Sequence, residues 1–464
     1  MGRDSNSRWI RRFLLTAAVG LALLSAGCGG SGSSASNTSS GQTASSGQLP
    51  PSSNSSGQFT TFSTNGSVNF NNEFFKSLGT NGRTCVSCHQ PNDGWTIIPS
   101  HVQARFSSSN GTDPVFTPND GSTCPTDDVS TISAKQTAYN LLLNKGLIRI
   151  ARPVPASADF TLQSVDDPYS CTSASNIAMF RRPLPATNLK FETTIMWDER
   201  ENVTPQLFDN LKSQAEDATL THAQSNGPPT DAQLTSIVNF ELALFTAQST
   251  DSAAGSLTDS GGKGGAQNLS QQAFTPGANS FFGAGFNPNV FTLYNSWSNL
   301  SGSDSVTQAR LSIARGQAIF NNRLITIDGV AGLNDVAGQV TIMGSCSTCH
   351  ATPNVGAFPV DNPMNIGTAD TNRRTPDLPL YIFKCNAGGQ FQVSDPGFAL
   401  TTGKCADIAK FKVPGLRDLA ARAPFFHDGG AATLLDVVNF YDNRFQIHLT
   451  TQEKTDLVNF LNAL

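Results

Sequence analysis

Two five-residue runs, Cys85-Val86-Ser87-Cys88-His89 and Cys346-Ser347-Thr348-Cys349-His350, constrain this chain more than anything else in it. Cys-x-x-Cys-His is the attachment signature of a c-type haem. The two thiols add across the haem vinyl groups as thioethers, and the histidine supplies the proximal iron ligand. A chain with two such runs folds around two flat, rigid groups that supply much of its core. Other readings of the pattern are a disulfide-capped turn, a thioredoxin-like redox pair and a zinc half-site. A zinc site wants two neighbouring Cys-x-x-Cys pairs, and these lie in opposite halves of the chain. The chain has only 6 histidines, and two of them directly follow a Cys-x-x-Cys pair. Two covalent haems c are therefore expected, attached through Cys85, Cys88, Cys346 and Cys349, with His89 and His350 on the irons.

The N-terminal residues place that chemistry outside the cytoplasm. Arg8-Trp9-Ile10-Arg11-Arg12 precedes an uncharged run over residues 13–24, about half the length of a membrane-spanning helix. Residues 1–27 read as an export signal. It ends Leu24-Ser25-Ala26-Gly27-Cys28, close to a bacterial lipobox but with Ser25 where leucine is usual. Lipidation of Cys28 is the expectation, and ordinary signal cleavage the alternative. The anticipated location is the periplasm, anchored to the outer membrane. Residues 28–60 are Ser/Gly-rich and read as a flexible tether, holding the globular part about 30 Å from the membrane. Of the 9 cysteines, one goes to lipid and four to haem, leaving Cys124, Cys171, Cys385 and Cys405. An even remainder in an oxidising compartment suggests two disulfides. Proximity favours Cys124–Cys171 and Cys385–Cys405, with free buried thiols as the alternative. The net charge of −5 and the absence of a Lys/Arg cluster argue against a nucleic-acid partner.

The two pentads sit in similar surroundings. Asn72-Glu73-Phe74-Phe75 precedes the first, and Arg315-Gly316-Gln317-Ala318-Ile319-Phe320-Asn321-Asn322 precedes the second. Each region closes with a capped amphipathic helix: Thr230-Asp231-Ala232-Gln233 leads into Ile237-Val238-Asn239-Phe240, and Thr450-Thr451-Gln452-Glu453 into Leu457-Val458-Asn459-Phe460. The fold expected is mainly α, a diverged duplication of two cytochrome c-type haem domains with long loops. Residues 61–248 form the N-terminal haem domain, 249–300 a Gly/Ser-rich connection, and 301–464 the C-terminal haem domain.

Further motifs carry a family resemblance. Phe411-Lys412-Val413-Pro414-Gly415-Leu416-Arg417-Asp418 with Ala423-Pro424-Phe425-Phe426-His427-Asp428-Gly429 resembles the second-haem signature of the bacterial di-haem cytochrome c peroxidases and their MauG-like relatives. Arg181-Arg182-Pro183 and Met196-Trp197-Asp198-Glu199-Arg200 resemble the family's Trp-Asp-Gly-Arg element between the haems. The resemblance covers about residues 60 to 464 and implies a peroxidatic first haem and an electron-transferring second one. It implies that Trp197 relays electrons between them. It also implies a distal second-haem ligand fourteen residues beyond His427, which here is Tyr441. Peroxidases have methionine there, and MauG-like proteins tyrosine. A phenolate stabilises ferric iron where a thioether stabilises ferrous iron. His427, His448 and Met364 are the rival ligands, with His427 holding loop structure or a propionate as the family motif implies.

On the distal side of the first haem the chain departs from the family. Gln214-Ala215 resembles the family's glutamine element, but Gln224 stands ten residues later where peroxidases carry glutamate. Cleaving peroxide needs a group that moves a proton between the two oxygens, which glutamine cannot do. His222 can, or it can ligate the iron outright; a surface loop histidine is the plain alternative. Glu216 is a further carboxylate candidate, and His101 a further sixth ligand. The leading reading is a MauG-like oxidase acting on hydrogen peroxide through His222, Gln214 and Trp197, with a small cytochrome or other redox protein as donor or substrate. A peroxide-detoxifying peroxidase, an electron carrier with both irons six-coordinate, and a di-haem oxygenase are the alternatives. The family often holds a calcium ion between the domains, and loops such as Asp166-Asp167 and Asn188 do not identify its site here.

Overall fold

Helices form where apolar residues recur at helical spacing behind a capping threonine. Thr230 caps Asp231–Leu242 and Thr450 caps Thr451–Asn462, each with a reciprocal bond to Gln233 or Glu453. Thr433 and Asp436 do the same for Leu434–Phe445. The computed structural model describes residues 47–464; the export signal, Cys28 and the tether as far as residue 46 lie outside the described residues. Among the described residues no helix is long and apolar enough to cross a membrane.

In the C-terminal half, Ser305–Asn322 packs across Thr451–Asn462. A Cβ on Gly316 would lie 2.0 Å from the Asp456 carbonyl oxygen, so only glycine lets these backbones approach. Beside the crossing, the Asp456 carboxylate accepts from Ser312 at 2.6 Å and Arg315 at 2.8 Å. Phe320 and Phe460 meet at 5.7 Å, and Phe320 lies 6.1 Å from the His350 ring. The N-terminal half repeats the wedge: Phe74 lies 5.3 Å from Phe240 and 6.3 Å from His89. The repeated blocks of the sequence thus place the same aromatic pair beside each pentad histidine.

Strands qualify the mainly α expectation: eleven accompany twelve α-helices among the described residues. Ser52–Asn54, Gly57–Ser63, Leu244–Asp251 and Gly255–Ser256 form an antiparallel sheet in that order. The tether therefore stops short of residue 60, because Phe59-Thr60-Thr61-Phe62 pairs with Phe245 to Gln248. Aromatic and β-branched residues favour a pleated, half-buried surface, and the Ser/Gly-rich surroundings hid that run. Phe160–Asp166, Leu380–Cys385 and Gln390–Val393 make a second sheet, pairing residues from the two halves of the chain. Two hairpins, Ile148–Arg152 with Ile177–Arg181 and Ile325–Asp328 with Thr341–Gly344, complete the set. Each strand is too short to show a clear alternation in a loop-rich sequence. The 249–300 connection is folded into the C-terminal core: Leu257, Phe291, Tyr294 and Trp297 are fully buried there. The Tyr294 hydroxyl donates to the Ala463 carbonyl at 2.6 Å. Both disulfides form as expected, Cys124–Cys171 and Cys385–Cys405.

Candidate functional site

Each pentad opens into its own cavity. The first holds about 1700 Å³ of space with its mouth included, and the second about 1770 Å³.

Cys85, Cys88 and His89 line the first cavity. The His89 Nδ1–H donates to the Trp95 carbonyl at 3.0 Å, which leaves Nε2 as the free lone pair. Burial, aided by nearby His222, pushes the His89 imidazole down to about 4 despite that hydrogen bond. The ring therefore stays neutral, as a metal ligand must. Opposite runs the helix Leu207–Thr221. Gln214 and Ala218, with His222 at the helix C-cap, stand four residues apart on one helix face, and all three line the cavity. The His222 Nδ1–H donates to the Asp120 carboxylate, which Arg83 also engages. Arg83 is locked in turn by the Pro114 carbonyl at 2.9 Å and the Val115 carbonyl at 2.7 Å. Burial pushes the Asp120 carboxyl up, but Arg83 and His222 together outweigh it and hold the group below its ordinary range. Asp120 is thus a buried carboxylate that fixes the His222 tautomer and leaves Nε2 unengaged. Nothing in its loop, Pro118-Asn119-Asp120-Gly121, signals that role.

Cys346, Cys349 and His350 line the second cavity. The His350 Nδ1–H donates to the Gly356 carbonyl at 2.6 Å, and burial lowers its ring to about 4. Tyr441 enters from Leu434–Phe445, beside Val437 and Val438. Burial, reinforced by the neighbouring Cys349 and Cys346 thiols, pushes its phenol well above the ordinary range. Met364, one of its rivals, lines the same cavity. His427 lines it too, stacked 4.1 Å from Phe411 and edge-on to Trp197 at 6.2 Å. Its buried Nε2 has no hydrogen-bond partner among the described residues. His448 is not part of the lining.

The cavities share a wall. Trp197, Arg182, Pro183, Lys412 and Pro414 line both. The Trp197 Nε1–H donates to the Arg182 carbonyl at 2.8 Å, and its own carbonyl accepts from the Lys412 N–H at 2.9 Å. Next to it, Asp198 is fully buried and engages Arg181 at 2.7 Å, Arg200 at 2.9 Å and Arg152 at 3.5 Å. Burial opposes the Asp198 charge, yet these guanidiniums hold its carboxyl far below the usual range. The left-handed backbone at Met196 and Glu199 (φ +66° and +51°) is held around this clamp. The two motifs singled out in the sequence, around Arg182 and Trp197, thus meet in one wall.

Several expected residues stand elsewhere. His101 lies on Pro99–Ser109, hydrogen-bonded to Asp93, half exposed and outside the first cavity. It is not placed to be a sixth ligand. Glu216 faces a surface groove with Asp209 and Asp217 on the other side of its helix. Gln224 lies past the helix end, accepting from Asn81 at 3.3 Å. The carboxylates that do line the first cavity are Asp120, Glu192 and Glu241, none of which sequence reasoning named.

The residues fit a covalently attached haem in each cavity. Cys85, Cys88, Cys346 and Cys349 are the free cysteines among the described residues. Each pair is accompanied by an imidazole whose second nitrogen is locked on a carbonyl, the usual arrangement behind a ligating histidine. Arg417, fully buried in the first cavity's wall, has Nε and Nη2 without partners. Carboxylates at a haem edge would answer that need. Among the described residues no group of three or more His, Cys, Asp or Glu side chains is arranged to hold a metal, so the expected calcium ion is assigned no ligands.

The chain is similar to cytochrome-c peroxidase IdrP1 of Denitromonas iodatirespirans, with 38% identity over 81 residues, 15% of this chain and 22% of that protein. It is 30% identical over 177 residues to cytochrome c551 peroxidase of Nitrosomonas europaea, covering 35% of this chain and 46% of that one. A third match, 44% over 62 residues, is the hydrazine synthase subunit gamma of Kuenenia stuttgartiensis, covering 12% and 18%. The chain thus spans less than half the length of each of these relatives. No family model matches it. A solved MauG-like protein associated with microbial copper homeostasis aligns with 15% identity over 63% of this chain and 77% of that one, at a TM-score of 0.32. A hydrazine synthase structure from Kuenenia stuttgartiensis aligns with 17% identity over 79% and 93%, at 0.33. Homologues bearing these names support a relationship to the di-haem cytochrome c peroxidase and MauG-like family, at modest identity.

Proposed function

We propose that this relative of the cytochrome c peroxidases is a di-haem c-type oxidoreductase. It reacts with hydrogen peroxide at the first haem and passes oxidising equivalents by way of Trp197 to the second. The observation that carries the reading is the first cavity's pairing of a locked proximal histidine, His89, with the Asp120–His222 dyad on one side chain wall. Haem iron, when bound, supplies the redox change and the peroxide-binding position. His222 Nε2 then takes the proton from the near oxygen and returns it to the far one, a general acid–base contribution of about 10²–10⁴-fold. Asp120 holds the tautomer that leaves Nε2 free. Gln214, two turns earlier on the same face, orients the peroxide through its amide. Trp197 sits in the wall common to both cavities. Tyr441 ligates the second iron and lowers its potential.

The two haem-bearing halves are residues 61–248 and 301–464. The donor or substrate is a small cytochrome or another redox protein, reached in the periplasm by a chain anchored through lipid at Cys28. A second reading, an electron carrier, draws on the same observation, because an unengaged His222 Nε2 in the cavity of His89 could close the first iron instead. Electron paramagnetic resonance of the ferric protein, repeated after stoichiometric peroxide, separates the two. A high-spin signal that vanishes on peroxide addition is expected. Two low-spin haems indifferent to peroxide, before and after one-electron reduction, would sink the oxidoreductase reading.

A further inference from the structure

The repeated closing helices differ at one inward position. Val238-Asn239-Phe240 aligns with Val458-Asn459-Phe460, so Ile237 matches Leu457 and Glu241 matches Leu461. Both members of each pair line their own cavity. Packing alone is served by leucine in the second copy, whereas the first spends the position on a carboxyl that is 6% exposed. Its Oε2 is buried with no hydrogen-bond partner among the described residues. An unpartnered carboxylate in such a wall is costly, so a structural filler is the wrong description. It lines the same cavity as Cys85, Cys88 and His89.

The charged groups on the surrounding elements leave it alone. Glu73 and Lys76 pair with each other before the pentad. Arg83 and His222 are taken by Asp120. Glu192 is held by Lys412 at 2.5 Å. Burial is the one influence on Glu241, and it pushes the carboxyl up to about 8.

We propose that Glu241 is the proton partner of the first haem: reduction at that site draws one proton onto the Glu241 carboxylate. This rests on the di-haem reading above. One electron from a one-electron donor converts ferric to ferrous iron, and one proton from solvent converts the Glu241 carboxylate to the acid. The net charge of the buried site is therefore unchanged. The second cavity, with Leu461 in the matching place, has no carboxylate in its lining.

Spectroelectrochemical titration of the holoprotein between pH 6 and 9 tests this, after pyridine haemochrome analysis of haem c content. One of the two reduction equilibria is expected to fall by up to tenfold per pH unit over part of that range, about 59 mV. Glu241→Gln and Glu241→Leu flatten that dependence and leave the other haem's unchanged. The reduced-minus-oxidised infrared spectrum of the unaltered protein gains a protonated-carboxyl band. A flat dependence for both haems, or a slope and band that survive in either variant, overturns the proposal while the di-haem reading stands. Absence of haem from Cys85 and Cys88 overturns both.

Discussion

Replacing His222 by glutamine separates proton transfer from folding. His222 makes a single side-chain hydrogen bond, to Asp120, and a glutamine amide can donate to the same carboxylate. Asp120 keeps Arg83 as its counter-charge in either case. The stability loss is therefore bounded by one charge-assisted hydrogen bond, about 1.5–3 kcal/mol if it is not remade. The catalytic loss expected from removing a general acid–base is about 10²–10⁴-fold, or roughly 2.7–5.5 kcal/mol of barrier. Stopped-flow mixing of the holoprotein with peroxide, followed at the haem absorbance, measures the latter; denaturant unfolding measures the former. A first-haem reaction at least a hundredfold slower in His222→Gln protein of near-native stability is the expected result. A rate within threefold of the original would refute the role. A faster reaction would mean that His222 had capped the iron, and would favour the electron carrier. Asp120→Asn is the poorer experiment. It strips the charge that compensates buried Arg83, at about 3–5 kcal/mol, so lost activity would follow from damage to the fold.

Trp197→Phe removes the Nε1–H bond to the Arg182 carbonyl, at about 1 kcal/mol. It should leave the initial peroxide reaction intact while slowing oxidation of the second haem, as seen in double-mixing kinetics. Tyr441→Met should raise the second-haem potential and Met364→Leu should not; the reverse outcome in redox titration makes Met364 the ligand. The Cys124–Cys171 disulfide spans 47 residues and Cys385–Cys405 spans 20, so loop-closure entropy assigns them about 4 and about 3 kcal/mol. Paired alanine substitutions at the first should lower the urea midpoint more than at the second.

What the sequence disclosed was whatever is local. Pentads, capping boxes and the Trp197 and Tyr441 motifs are short runs that can be read before the fold is known, and the disulfides followed from cysteine bookkeeping. Asp120 was invisible because it meets His222 only through the fold, 102 positions along the chain. His101 misled for the converse reason: its spacing after the pentad suited a ligand, but buried Asp93 holds its ring outward. Glu216 failed on helical geometry, since two positions from Gln214 is the far side of the helix. Glu241 was the one missed residue with a readable signal. Extending the comparison of the two closing helices by a single residue beyond Phe240 and Phe460 sets a carboxylate against a leucine.

That difference extends to the whole of each cavity. The frame is common: an aromatic pair beside the histidine, an imidazole locked on a carbonyl, and a capped closing helix. The walls are not. Proton-handling side chains, His222 and Glu241, gather at the first beside Gln214, while Leu457, Leu461, Val437 and Val438 line the second. Proton transfer needs groups able to change charge, and apolar walls penalise any such change. On the function proposed above, peroxide chemistry is thereby confined to the first cavity, and the second is left to hold electrons or oxidising equivalents. The exchange must then cross the shared wall, where indole is the oxidisable side chain. The wall has to be rigid for that exchange to be reproducible, and Asp198 answers the requirement by binding Arg181 and Arg200 of the two motifs and Arg152 at the end of a strand. A substitution at Asp198 would strip the counter-charge these guanidiniums share, leaving Arg181 to Asp395 and Arg200 to Glu201. Its first consequence would be a mobile Trp197, before any change at either haem.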